Sequence, residues 1–163
     1  MLAVAACMKA LANYFKENEA LWEITGIVHD ADFEEMGTNH PSPKIVEYLS
    51  KLNADPLIIQ TVKTHGWQIT PGCLEPQTKM DWSLYCCDHL TGLIIAVTLV
   101  RPTKKIANVT VADIMKKWGK KDFAKGSHRE NIALCESKLN LKLEEFMAIC
   151  LKAMQEISFD LGL

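Results

Sequence analysis

Residues Trp22 to Glu34 read WEITGIVHDADFE, an apolar run followed directly by His29, Asp30 and Asp32. The spacing of the apolar residues predicts a helix that brings the His-Asp pair to the edge of the core in its last turn. Buried imidazole and carboxylate groups need partners. Because neighbouring helical positions lie about 100° apart around the axis, both side chains can face one divalent cation. The residues of this helix expected to face the core are Leu21, Ile24, Thr25 and Val28.

The composition is that of a globular protein. The chain has 163 residues, 48% hydrophobic and 23% charged, which predicts one domain over residues 1–163. Six cysteines without a Cys-x-x-Cys motif indicate buried free thiols in a reducing compartment, so we expect a cytoplasmic protein. Lys9 interrupts the apolar start of the chain, unlike a signal peptide. The longest apolar run, Leu93 to Val100, falls short of the roughly 20 residues that span a bilayer, so we expect no membrane partner.

Positive charge is concentrated in residues 101–129, which hold nine Lys and Arg against two Asp and Glu. Residues 1–100 hold six against twelve, and residues 130–163 hold three against six. This asymmetry indicates an anionic partner at the basic segment. The aromatic residues there are only Trp118 and Phe123, so we expect no nucleic-acid duplex as partner. Four lysines are expected on a solvated helix face instead: Lys116, Lys117, Lys120 and Lys121.

Helical periodicity recurs along the chain and no long stretch alternates as a strand, which predicts an all-α fold. The predicted helices are Leu2 to about Phe15, Glu19 to about Val28, two that begin at Pro43 and Pro56, Lys79 to Leu99, Val111 to Trp118, Ser127 to Leu139 and Leu143 to Leu161. The expected N-caps are Asn18, Ser42, Asp55, Ser127 and Asn140. Further residues expected to face the core are Val4, Met8, Leu11, Phe15, Leu52, Leu84, Ile95 and Leu99.

Polar residues also fall on the inward faces of these elements, and together they suggest a metal site. Each alone is more typical of a structural role, but several in one small helical domain favour ligation of one or two divalent ions. Imidazole and carboxylate without thiolate suit Fe, Mn, Zn, Ni, Co or Mg, among which the sequence does not choose. The five candidate metal ligands are His29, Asp30, His40, His65 and Asp88.

The order of these motifs resembles the HD-domain superfamily of metal-dependent phosphohydrolases, especially its small predicted hydrolases. The segments that carry the resemblance are LWEITGIVHDADFE, YCCDHLTGLIIAVTLVRPTKKI and FAKGSHRE, and it covers nearly the whole chain. It implies a helical bundle with the metal in a cleft. By the same resemblance, His29, Asp30 and Asp88 would hold a first ion. Asp30, as the bridging and catalytic carboxylate, would hold a second ion with His40 and His65.

Two positions depart from the pattern of that family. The family's first ligand is a His that would fall immediately before Met1, so the first helix is expected to be truncated at its N-terminus. A late start of this chain and a true loss of the ligand both stay open. His89 stands where related sequences carry an acidic residue after the Asp, and we expect it at the surface or supporting a ligand.

The resemblance implies hydrolysis of a phosphate ester or nucleotide phosphate by a metal-activated water. Arg101 and Lys104 follow the Asp88 helix and are expected to contact the substrate phosphate. Asp32 is expected to orient a ligand His, to accept a proton or to cap a loop. The alternative function is a degenerate HD domain that binds a nucleotide or another anion as a non-catalytic regulatory module, which the missing first His favours. A helical interaction module is a third interpretation, and the oligomeric state is open.

Overall fold

The computed structural model describes residues 1–120 and 122–163, so the prediction for Lys121 lies outside the described residues. The all-α prediction is confirmed, because every regular element within those two ranges is helical. The helices are α1 Leu2–Phe15, α2 Glu19–Val28, α3 Phe33–Met36, α4 Pro43–Lys51, α5 Pro56–Thr64, α6 Lys79–Leu99, α7 Val111–Trp118, α8 Arg129–Leu139, α9 Leu143–Glu156 and α10 Ser158–Leu161. Short 3-10 turns occupy Gly37–Asn39 and Ile106–Asn108.

Helix α6 is the centre of the fold, and α1, α5, α7, α8 and α9 pack against it. Leu84 and Leu90 are fully buried along it. The helix is long and apolar enough to cross a bilayer, but most of it is covered by the rest of the protein. This is the environment of a core helix, whose nearly continuous apolar sequence follows from contacts on several sides.

The first turn of α6 also forms hydrogen bonds with α5. Asp81 is 1% exposed, and it forms a capping box with Thr78, in which each side chain accepts the other's backbone N–H at 3.1 Å. The same carboxylate accepts hydrogen bonds from Thr61 Oγ1 at 2.5 Å and Gln60 Nε2 at 3.0 Å, both on α5. Because His65 follows α5 and Asp88 lies on α6, this contact fixes two candidate ligands relative to each other.

Helix α2 lies unusually close to α1. A Cβ atom at Gly26 would stand 2.6 Å from the Ala5 Cα atom and 2.8 Å from its nitrogen, so only glycine permits this approach. The predicted core face of α1 is confirmed at Val4, Met8 and Leu11, which are at most 2% exposed. The packing places the C-terminal end of α2 against the middle of the bundle.

Of the five predicted N-caps, two are confirmed with their hydrogen bonds, a third is confirmed in position only, and two are wrong. Asn18 and Asp55 accept the backbone N–H groups of Leu21 and Leu57, at 3.1 and 2.8 Å. Ser42 occupies the N-cap position of α4, but its side chain makes no capping hydrogen bond.

The two wrong predictions concern the turns around α8. This helix begins after His128, so Ser127 is one residue too early to be its N-cap. Asn140 instead ends α8 with φ at 53°, a left-handed conformation that asparagine tolerates well at a helix C-terminus. Helix α9 follows Lys142 and ends at Glu156, so the predicted helix from Leu143 to Leu161 is split in two.

Three apolar residues expected in the core are exposed instead. Ile24 is 49%, Leu52 61% and Leu99 50% exposed. Leu52 and Leu99 lie at the C-terminal ends of α4 and α6, where neighbouring helices no longer cover the apolar face of the helix. On α2 the buried large side chain is Trp22, at 3% exposure, so its core face is rotated from the predicted one.

Candidate metal centre

The five predicted ligands come together from four parts of the fold. His29 is the C-cap of α2, Asp30 follows it in the next turn, and His65 is the C-cap of α5. Asp88 lies in the middle of α6, and His40 lies in the segment before α4. They form two groups that share Asp30, and within each group the ligand atoms lie within 4.8 Å of one another.

The first group contains His29, Asp30 and Asp88. His29 Nε2 lies 3.2 Å from Asp30 Oδ2 and 3.5 Å from Asp88 Oδ1. The imidazole is fully buried, and its Nδ1 lies 2.9 Å from the Gly26 carbonyl oxygen, to which it donates in the tautomer that frees Nε2. Nε2 has no aligned hydrogen-bond partner among the described residues. A buried polar atom that faces two carboxylates without a hydrogen bond is the arrangement expected of a metal ligand.

The second group contains Asp30, His40 and His65. Asp30 Oδ1 lies 3.2 Å from His40 Nδ1 and 3.5 Å from His65 Nε2. The Nδ1 of His65 donates to the Val62 carbonyl at 2.7 Å, as that of His29 does to Gly26, but its Nε2 also lies within hydrogen-bond distance of His40 Nδ1, at 3.3 Å. Asp30 therefore presents one carboxylate oxygen to each group, which is how a carboxylate bridges two ions.

The charges of the centre are strongly coupled. Burial works to lower the pKa of His29, but Asp30 and Asp88 outweigh it and raise that pKa to about 9. Burial works to raise the pKa of both carboxyl groups, and the imidazoles outweigh it, so the pKa of each lies below its ordinary value. Burial lowers the pKa of His40. Without a metal ion His29 is therefore protonated at neutral pH and both carboxyl groups are ionised, and an ion that binds His29 Nε2 would displace its proton.

Arg101 and Lys104 are not brought to this cluster. Arg101 Nη1 pairs with Asp113 Oδ2 at 2.8 Å, just beyond the end of α6. Lys104 is exposed. The end of α6 at Leu99 lies about 16 Å along the helix from Asp88, at about 1.5 Å per residue. Their contact with a substrate phosphate stays a prediction.

His89, next to Asp88, contacts α8, and this contact was not predicted from the sequence. Its Nε2 lies 3.0 Å from Asn131 Nδ2, and its ring centroid lies 5.1 Å from that of His128. Asn131 is only 5% exposed, beside Ile132 on the core side of α8. A polar residue on a core-facing position needs a polar partner, and this signal was available in the sequence.

Asp32 is the remaining acidic residue of the opening stretch. It is 7% exposed, and its Oδ2 accepts a hydrogen bond from the Ser42 backbone N–H at 2.7 Å. Of the expected roles, the structure shows the loop contact.

Comparison of the chain with models of known protein families, with curated proteins and with solved structures finds no match. The likeness to HD domains thus stays an expectation from sequence motifs. The structure itself establishes the helical fold and two groups of side chains able to hold a metal ion.

Proposed function

We propose that this protein is a divalent-metal phosphohydrolase of the HD type, which cleaves a phosphate ester or a nucleotide phosphate. The observation that carries the proposal is the position of Asp30 between two groups of imidazole and carboxylate ligands. Each group offers three protein ligands, so an ion in either group would keep coordination positions for water and substrate. Two ions sharing a carboxylate suit phosphate ester hydrolysis, because both the attacking and the leaving oxygen can be stabilised.

The donor set fits such ions. His29 Nε2 and Asp30 Oδ1 are buried polar atoms without hydrogen-bond partners in residues 1–120 and 122–163, and both lie inside the cluster. Divalent ions there would activate water for attack on phosphorus and offset the charge of the phosphoryl oxygens. Imidazole and carboxylate are compatible with Fe, Mn, Zn, Ni, Co or Mg.

The residues of the chain have distinct tasks in this proposal. Asp30 and Asp88 stay ionised at neutral pH because the pKa of each is low, so they supply two negative charges to the centre. His29 and His65 are oriented by their Nδ1 contacts with main-chain carbonyls, which directs each Nε2 towards Asp30. Asp30 is the proposed catalytic residue, since its carboxylate faces both groups.

The substrate is a small phosphorylated molecule or nucleotide in this proposal. Arg101 and Lys104 belong to the proposal as contacts for a phosphate group distant from the reacting one. A substrate that reaches them from Asp88 must extend about 16 Å along α6.

The test combines metal content with turnover. Purified protein loaded with Mn²⁺ is expected to hold about two ions per chain and to hydrolyse p-nitrophenyl phosphate or members of a nucleotide panel. Asp88→Asn should weaken the first ion and abolish turnover. Asp160→Asn, a variant of an exposed carboxylate on α10, should change neither. A chain that binds no Mn²⁺, Fe²⁺ or Zn²⁺ would contradict the proposal.

One observation favours the regulatory alternative. Because the pKa of His29 is raised to about 9, its imidazolium can offset one of the two carboxylate charges without any metal ion. A centre of that kind could serve a module that binds a nucleotide or another anion without turnover. Thermal stabilisation by nucleotides, with no hydrolysis after metal loading, would support that function over the enzyme.

A further inference from the structure

His40 differs from the other candidate ligands in how it is held. His29 and His65 are helix C-caps and Asp88 is inside a helix, so the hydrogen bonds of those helices fix their backbones. His40 lies between the 3-10 turn at Gly37–Asn39 and the start of α4. A ligand outside a helix needs other contacts to stay in place, and the structure supplies them on two sides.

The first contact ties His40 to the segment of Asp30. Asp32 stands two residues after Asp30, and Ser42 stands two residues after His40. The buried hydrogen bond of 2.7 Å from the Ser42 N–H to Asp32 Oδ2 joins these positions. It crosses the intervening loop and keeps His40 Nδ1 within 3.2 Å of Asp30 Oδ1.

The second contact ties His40 to the segment of His65. Thr70 Oγ1 donates a hydrogen bond to the His40 carbonyl, and the Thr70 N–H donates to the carbonyl of Gly66 at 2.7 Å. Gly66 follows His65 directly. A Cβ atom at Gly66 would lie 2.6 Å from Pro41 Cδ, so the absence of a side chain lets the residue after His40 pack on the backbone after His65.

We propose that Asp32, Gly66 and Thr70 act as a clamp that positions His40 for the second metal ion. None of the three belongs to either group of candidate ligands, so they are positioning residues. The inference rests on the proposed metal centre and adds which residues decide whether it holds one ion or two. The first ion depends on His29 and Asp88, to which the clamp makes no hydrogen bond within the described ranges.

The experiment measures Mn²⁺ binding by calorimetry and elemental analysis, without substrate. Asp32→Leu and Thr70→Val remove the clamping groups at similar volume. Both should weaken the second ion about 10- to 100-fold, the usual effect of losing a group that orients a ligand, and leave the first ion unchanged. Asp32→Asn keeps an acceptor oxygen and Thr70→Ser keeps the hydroxyl, so both should retain most of the affinity. Thr98→Val, which removes a buried hydroxyl bonded to the Ile94 carbonyl on α6, is the matched control.

A readout without metal accompanies the binding data. Amide hydrogen exchange at Ser42 should be slow in the unmodified protein and in Asp32→Asn, and fast in Asp32→Leu. Unchanged second-ion affinity in Asp32→Leu and Thr70→Val, measured on folded variants, would overturn the clamp alone. Equal weakening of both ions would also overturn it. If the unmodified chain binds no second ion, the two-ion form of the proposed function fails together with this inference.

Discussion

Gly26→Ala tests the contact that places α2, and with it His29, against the bundle. The added methyl carbon would stand 2.6 Å from the Ala5 Cα atom, 2.8 Å from the Ala5 nitrogen and 3.0 Å from the Val4 carbonyl carbon. Carbon atoms in contact are normally 3.5–4.0 Å apart. All three neighbours are backbone atoms of α1, so no side chain can rotate away, and α2 must shift outwards by about 1 Å.

The energetic cost follows from two opposing terms. Overpacking of a well-packed core costs about 1–3 kcal/mol, and rigid backbone neighbours put this site near the upper value. Replacing glycine by alanine within a helix stabilises the fold by about 1 kcal/mol, because alanine has the higher helix propensity. The net destabilisation is therefore about 2 kcal/mol, which lowers Tm by roughly 4–8 °C in a domain of this size.

The assay is thermal unfolding followed by circular dichroism, with Gly119→Ala as control. Gly119 lies at the end of α7 with φ at −75° and has no neighbour within 4 Å of an added Cβ, so its Tm should barely change. Metal affinity should also fall in Gly26→Ala, because the Gly26 carbonyl accepts the His29 Nδ1 hydrogen bond. A Gly26→Ala protein that melts at or above the unmodified one would refute the close approach of α1 and α2.

Three further predictions concern other parts of the molecule. Burial works to raise the pKa of Asp81, but the hydrogen bonds to its carboxylate outweigh burial and hold the pKa below the ordinary value. The ionised Asp81 therefore stabilises the fold above about pH 4, and this stabilisation is lost as the pH falls further. Asp81→Asn should accordingly be less stable than the unmodified protein at pH 7, with a difference that shrinks in acid denaturation series towards pH 2. Cys73 is the one cysteine of the six that is not buried, so a thiol reagent should label about one site in the native protein and six after unfolding. Arg101→Ala breaks a partly exposed ion pair with Asp113, so urea denaturation should show a loss of at most about 1 kcal/mol, whereas a markedly raised KM for a phosphorylated substrate would support its predicted contact with phosphate.

The helices of this fold were largely predictable because their signals are local. Asn18 and Asp55 predict helix starts that the structure confirms. Such caps are recognisable in a sequence because a cap acts within one turn of the chain. The exposure of Ile24 and Leu52 was not predictable in the same way. Both satisfy helical periodicity, but whether an apolar face is covered depends on where other helices end and how far they reach.

The candidate site was likewise predictable only in part. The ligand types and their order along the chain suggested a cluster of His29, Asp30, His40, His65 and Asp88, and the structure brings those five together. The two contacts that hold His40 were hidden, because the Ser42 N–H and the His40 carbonyl are backbone groups with no signature in a sequence. The core-facing position of Asn131 indicated that it needs a polar partner, but the identity of that partner, His89, was not predictable because the two residues are 42 positions apart.

The way α2 and α5 end has a consequence for the order of binding. Both helices stop at an imidazole of the cluster, His29 and His65, so their C-terminal poles, each equivalent to about half a negative charge, lie at the cluster. Together with the carboxylates of Asp30 and Asp88, these poles outweigh the charge of the His29 imidazolium and make the metal-free cluster unfavourable for a phosphate. An anionic substrate should therefore bind only after the cations have entered, with metal first and phosphate second.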